Sequence, residues 1–239
     1  MSDLEAVQKR TGLRFNDQQL LQQVFVHRSY LNEHRSFPLG HNERLEFLGD
    51  AVLELVVTEY LYRNFPNPEG ELTNWRSSLV KGEMLAKIAV SLEFSEHLLL
   101  SYGETRSGGK NKNQLLANAF EALLGALYMD QGYLPCQDFI QRTVTIHLQE
   151  ILEQRLFVDP KSELQELTQE KYGITPHYLV LEESGPDHAK EFAASVRIGD
   201  KELGRGTGNS KQSAQVSAAQ AALVGLKGSL PADVLEAPV

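Results

Sequence analysis

The sequence predicts an all-α domain over residues 1–157 followed by a small α+β domain over 158–228, with the order helix, strand, strand, strand, helix. Three observations carry this. Apolar residues recur at helical spacing almost without a break up to about residue 157. The segment "VDPKS" then interrupts the pattern and places Pro160 where a new helix can start. Beyond it the periodicity drops to two, in short runs divided by the turn signals Gly185-Pro186 and Gly199-Asp200.

In chain order, "NDQQLLQQVFVHRSY" reads as a helix with Asn16 as its cap, and "RSFPLGH" as a loop. "NERLEFLGDAVLELVVTEYLYRNF", residues 42–65, reads as one long helix opened by a second Asn cap. "PNPEGE" breaks the chain, and "LTNWRSSLVKGEMLAKIAVSLEF" continues helically. "SYGETRSGGKNKN" is Gly-rich and basic and reads as a mobile loop. "LLANAFEALLGALYMD" is an apolar helix, and "LPCQDFIQRTVTIHLQEILEQRL" a last one. In the second domain "KSELQELTQEKYG" is a helix stopped by Gly173. "HYLVLEES", "KEFAASVRIG" and "KELGRGTG" are strands, and "NSKQSAQVSAAQAALVGLKG" is an Ala-rich helix. Residues 229–239 read as a frayed tail.

Composition narrows the function classes. Cys136 is the only cysteine, which excludes an intrachain disulfide and a cysteine-based zinc site. No apolar run is long enough to span a bilayer, and the N-terminus lacks the cationic-then-apolar pattern of a signal peptide, so a cytoplasmic protein without membrane partners is expected. The net charge of −9 argues mildly against broad phosphate binding and suits a chain that gathers divalent cations with carboxylates. Even residues 159–228 hold 8 Lys and Arg against 10 Asp and Glu, so any nucleic-acid surface there is local.

Two segments carry chemistry. Glu43, Glu46, Asp50 and Glu54 are spaced three, four and four apart, close to one helical face. Like charges at this spacing repel by about 0.2–0.5 kcal/mol a pair, which an oxygen-seeking cation such as Mg²⁺ would relieve. A solvated acidic face is the plain alternative. Gly49 weighs against it, because a glycine inside a helix costs about 1 kcal/mol against alanine and marks close backbone approach. In the apolar helix, Asn118, Glu121 and Gly125 share one stripe. A buried carboxylate there needs a cationic side chain, a proton or a metal. Glu46, Asp50, Asn118 and Glu121 together would make an oxygen cluster suited to metal-assisted phosphoryl hydrolysis.

"HNERLEFLGDAVL" resembles the signature segment of ribonuclease III, and "FVHRSY", "GELTNWRSSLV" and "NAFEALLGALYMDQG" resemble other segments of that family, in the family's order. The C-terminal part, with "PKSELQELTQ", "GPDHAKEF" and "GRGTGNSKQSAQ", resembles a double-stranded-RNA-binding domain. The resemblance implies a homodimeric, Mg²⁺-dependent endonuclease, with Mn²⁺ as a substitute. It would cut double-stranded RNA, such as ribosomal RNA precursors, to 5′-phosphate and 3′-hydroxyl ends. It implies that Glu46, Asp50 and Glu121 are catalytic metal-binding carboxylates and that Phe47 packs against the partner subunit. Asn118 stands where the family normally has Asp. It offers a neutral carbonyl oxygen, and three outcomes are open: altered metal dependence, compensation by Glu43 or Glu69, or a protein that binds duplexes without cutting them. On the RNA-binding side the resemblance implies Ser162, Gln165, Glu166 and Gln169 against one minor groove, His188 against the next, and Asn209, Ser210 and Lys211 at phosphates. Lys190 and Arg205 could add to this, as could Arg106, Lys110 and Lys112 in the Gly-rich loop. His27 is expected to act as a cap or a core hydrogen-bonder, and His34 and His41 are expected to be structural.

Overall fold

The computed structural model describes residues 3–153, 157, 159–186 and 190–228. Two compact units share the chain, residues 1–157 and 158–239. The described part of the first is helical, and the second carries a three-stranded sheet with two helices.

The first unit is built around helix α9 (Asn113–Gln131), whose ten buried residues, Gly125 among them, leave little of it to solvent. Around it lie α1 (Leu4–Thr11), α2 (Gln18–Val24), α3 (Arg28–Glu33) and the long α4 (Glu43–Asn64). They are followed by α5 (Glu69–Val80), α6 (Gly82–Ser91), and the short α7 (Phe94–His97) and α8 (Tyr102–Arg106). After α9 come α10 (Tyr133–Thr143) and α11 (Leu148–Glu153). Aromatic rings knit the centre: Phe25 meets Phe94 edge-on at 5.3 Å, and Phe120 stacks on Phe139 at 5.9 Å.

Several local expectations are corrected. The cap of α2 is Asp17, whose carboxylate accepts from the Gln19 and Leu20 N–H groups, and Asn16 lies one residue outside. An ionised carboxylate is the better acceptor for those donors. Asn42 precedes α4 but does not cap it; its buried amide donates to the Val24 carbonyl at 2.9 Å and ties two segments together. The run after Pro68 is two helices, because Lys81 takes an extended conformation between α5 and α6. The Gly-rich stretch is not a plain loop: Ser101 caps α8, and a 3-10 turn covers Gly109–Asn111. The last helix of the unit is likewise interrupted, by a 3-10 turn at Thr145–His147.

In the second unit, α12 (Pro160–Tyr172) starts at an Asp159 cap with Pro160 in its first turn and ends at Gly173, which takes the left-handed conformation. Strands β1 (His177–Ser184), β2 (Glu191–Ile198) and β3 (Lys201–Gly208) form an antiparallel meander with β2 in the middle. Helix α13 (Lys211–Gly228) lies on β3. The contact is made of small residues: a Cβ added at Gly204 would come 2.6 Å from the Ala222 nitrogen and 2.7 Å from the Ala218 carbonyl oxygen. The Ala-rich face of α13 and the "GRGTG" strand thus explain one another. Leu164, Val196, Ala218, Ala219, Ala222 and Leu223 form the core beneath them. The sequence of elements is the expected one. Residues 229–239, read as a tail, lie outside the described residues.

Candidate functional site

The site begins with a helix crossing. Gly49 of α4 and Gly125 of α9 touch backbone to backbone. A Cβ on Gly49 would overlap the Glu121 carbonyl oxygen and sit 2.9 Å from the Gly125 nitrogen, and one on Gly125 would overlap the Leu45 carbonyl. No residue but glycine fits at either position, which is why a costly helix-interior glycine appears in both. Close approach of the two axes sets the side chains flanking the crossing against each other: Glu46 and Asp50 from α4, Asn118 and Glu121 from α9.

The charges of these side chains act on one another. Burial, reinforced by the charges of Asp50 and Glu46, pushes the Glu121 carboxyl up to about 7. Glu46 is also raised, first by burial, then by Glu43 and Asp50, while a hydrogen bond from Asn118 acts in the opposite sense. Asp50 is exposed, and Glu46, Asn118 and Glu121 are half-buried. This is an anionic cluster whose members raise one another's proton affinity, the condition a cation corrects. The donor set is entirely oxygen, which fits a hard divalent ion. Among the described residues no three His, Cys, Asp or Glu side chains stand as a ready-made metal cage.

The Asn118 Oδ1 accepts a hydrogen bond from the Gln114 amide at 2.7 Å. Gln114 escaped the sequence reading, although a Gln four residues before an Asn on a helix is a recognised stabilising pair. The two side chains offered as compensating carboxylates have other partners. Glu43 lies 3.7 Å from both Arg28 and His41, and Glu69 accepts from the Thr73 hydroxyl at 3.0 Å.

Other expected residues fall as follows. Phe47 is 81% exposed on α4, the most exposed of the large apolar side chains. His27 caps α3 through Nδ1, which accepts from the Ser29 N–H, and burial holds its pKa below the ordinary value. Lys112 pairs with Glu104 at 2.6 Å at the entrance to α9. On α12, Ser162, Gln165, Glu166 and Gln169 are all exposed along one side; the Ser162 hydroxyl bonds Asp159 at 2.9 Å. Asn209 and Ser210 both engage the Ser213 hydroxyl, and the Ser210 Oγ accepts from the Ser213 N–H, closing the start of α13. Lys211 is exposed, 3.8 Å from Glu183, which also binds Lys190 at 2.7 Å. Arg205 pairs with Glu202. His188 lies outside the described residues. Among the described residues no helix is long and apolar enough to cross a membrane.

Comparison with known proteins agrees with both halves. Residues 17–148 match the family model described as ribonuclease-III-like, and residues 160–226 match the double-stranded RNA binding motif. The chain is 47% identical over 222 residues to Ribonuclease 3 of Geobacillus sp. (strain WCH70), covering 92% of this chain and 90% of that one. It is 45% identical to Ribonuclease 3 of Oceanobacillus iheyensis, covering 95% of this chain and 100% of the relative. Among solved structures, the ribonuclease III nuclease domain from Campylobacter jejuni matches at 36% identity and a TM-score of 0.56, covering 60% of this chain and 97% of that domain. One description of that structure concerns flexibility in a region involved in dimer formation.

Proposed function

The chain belongs to the ribonuclease III family, and on that premise we propose that Glu46, Asp50 and Glu121 hold the divalent cation with which it hydrolyses double-stranded RNA. The chain is a double-stranded-RNA endoribonuclease: a ribonuclease III nuclease unit joined to a duplex-binding unit. The ion is Mg²⁺, with Mn²⁺ as a substitute, because the donors are hard oxygens. When bound, such an ion supplies a hydroxide nucleophile at neutral pH and stabilises charge on the phosphoryl oxygens.

The observation that carries this reading is Glu121. A half-buried carboxyl pushed up to about 7 by its own burial and by two facing carboxylates is a poor structural anchor and a good cation site. Glu46 and Asp50 enter from the other helix, so these residues of α4 and α9 would hold the ion together, near the crossing where Gly49 and Gly125 meet. Glu121, pushed highest by burial, would hold it from within, and Asp50 would hold it from the solvent-exposed side.

The RNA-facing assignments follow the exposed side of α12. Ser162, Gln165, Glu166 and Gln169 are short polar groups suited to 2′-hydroxyls, and Lys211 at the start of α13 is suited to a phosphate. His188 would reach the next minor groove. Phe47 supports a homodimer: a fully presented phenyl ring on α4 is a natural anchor for a second copy.

The test is direct. A long duplex incubated with the chain and Mg²⁺ or Mn²⁺ is expected to yield fragments with 5′-phosphate and 3′-hydroxyl ends, and none with chelator. No cleavage with either ion, together with cleavage by Asn118→Asp, would replace this reading by that of a duplex-binding protein without nuclease activity.

A further inference from the structure

Three aromatic rings stand together at the end of α3, and none of them belongs to the core of the first unit. The His34 ring lies flat on Tyr30, with centroids 3.9 Å apart and planes 13° from parallel, and Phe37 meets Tyr30 edge-on at 5.4 Å. The backbone locks the outermost ring in place. The His34 N–H donates to the Tyr30 carbonyl at 3.0 Å, and the ring Nδ1 lies 3.0 Å from the same oxygen, where it must carry its proton. Tyr30 and Phe37 are half-buried and His34 is exposed, so the pile ends in a flat ring open to solvent. Large rings scattered singly over a surface need no explanation, but a pile braced from two directions spends its own contacts on holding one ring still.

The surroundings are rich in arginine, against a net charge of −9 for the whole chain. Arg28 opens α3 and Arg35 follows His34, both exposed. Helix α8 begins beside α3: the Ser101 N–H donates to the Ser29 hydroxyl at 3.0 Å, and the Tyr102 N–H to the Glu33 carboxylate at 2.9 Å. This brings up Tyr102, 73% exposed, with exposed Arg106 one turn further on. Open rings among guanidinium groups are the chemistry on which unpaired nucleobases stack. The bases of an unbroken A-form duplex are hidden from such a surface, because its major groove is deep and narrow. The rings also lie near the proposed metal site, since Arg28 stands 3.7 Å from Glu43, one turn before Glu46 on α4.

We propose that the Tyr30–His34 stack is a docking site for one unpaired nucleobase of the substrate RNA, so that the nuclease unit reads a bulge, an internal loop or an end beside the duplex that it cuts. This rests on the reading of the chain as a double-stranded-RNA endoribonuclease. The base extends the pile over the open face of His34, and Arg35 beside it meets the phosphate of the same nucleotide. A duplex is met by its shape; the stack adds a mark that an unbroken duplex lacks.

The experiment measures the affinity of the full chain, without divalent ions so that nothing is cut, for two kinds of RNA. One is a blunt duplex. The other is the same duplex interrupted by a small internal loop that carries 2-aminopurine as an unpaired base, with the loop moved stepwise along the duplex. At one or more loop positions the chain is expected to quench the 2-aminopurine fluorescence, as stacking does, and to bind more tightly than it binds the blunt duplex. His34→Ala is expected to abolish the quenching and to weaken binding of that RNA about 5- to 10-fold, with affinity for the blunt duplex held within about 2-fold. His34→Phe keeps a flat ring without the imidazole nitrogens and should restore both signals. Quenching at no loop position overturns the proposal, as does unchanged affinity in His34→Ala, which would leave the rings to a protein partner. Equal losses on both RNAs overturn it as well, because His34 would then serve the duplex in general, and so does a failure of His34→Phe to restore binding. If the unmodified chain binds neither RNA, the double-stranded-RNA reading itself falls and the proposal with it.

Discussion

Gly49 and Gly125 meet across the α4–α9 crossing at a distance no side chain can share: a Cβ on Gly49 would stand 2.9 Å from the Gly125 nitrogen, and one on Gly125 would stand 3.1 Å from the Gly49 nitrogen. The obstacles are backbone atoms, which cannot rotate aside. Gly49→Ala gains about 1 kcal/mol of helix propensity and forces the helices apart, at a cost of about 3 kcal/mol or more in strain and lost packing. The expected outcome is a net loss of roughly 2 kcal/mol, read by urea unfolding with Trp75 fluorescence. Trp75 is the only tryptophan and lies in the first unit, so it reports that unit alone.

Glu121→Gln keeps the shape of the site and removes its most buried negative charge. Cleavage is expected to fall by more than the roughly 100-fold that loss of an outer-shell metal partner costs. Affinity for a short duplex in the absence of divalent ions should stay within about 2-fold, because the residues proposed to face RNA lie in the second unit. Gel-shift and cleavage assays on one preparation check both halves.

Asp130 gives the first unit a measurable pH dependence. Burial raises its carboxyl, and hydrogen bonds from the Asn16 N–H, the Gln131 amide and the Asp17 N–H more than offset that, leaving its pKa below the ordinary 3.8. A depressed carboxyl contributes stability that is complete above its unfolded value and is lost as the pH falls through the folded one. Asp130→Asn should therefore lower stability at pH 7 by on the order of 1 kcal/mol, the worth of a net hydrogen bond. The gap to the unmodified chain should narrow below about pH 4. Thermal melts across pH 3 to 7 measure it.

Phe157 belongs to the first unit by contact: its ring meets Trp75 at 6.2 Å, nearly edge-on. A chain ending at residue 157 should keep the Trp75 emission maximum and unfold cooperatively. One ending at residue 153 should lose about 1 kcal/mol with the aromatic contact and red-shift that emission. Both should bind duplex RNA far more weakly than the full chain.

The larger architecture was legible because periodicity is a strong signal over long elements: β1, β3, the Pro160 start and the Gly173 stop stand where the pattern put them, and β2 is one residue shorter at each end. Gly49 was readable as a close approach from its propensity cost alone, but its partner Gly125 was not, since pairing across two helices leaves no local trace. Caps went astray where two candidates stood side by side, as with Asn16 and Asp17, because only geometry decides which side chain reaches the free N–H groups. The break at Lys81 was invisible, as neither glycine nor proline marks that residue. At the site, a carboxylate in an apolar helix advertised itself. The direction of an amide did not, because composition is blind to which of two nearly identical ends faces a neighbour.

Glu183 has one further consequence. It holds Lys190 at 2.7 Å and stands 3.8 Å from Lys211, so a cation at the start of α13 already has an anion beside it. A phosphate drawn to Lys211 would compete there with a carboxylate tethered to the same fold. A polymer that presents many phosphates in register would meet this competition with several contacts at once, where a single phosphate has one.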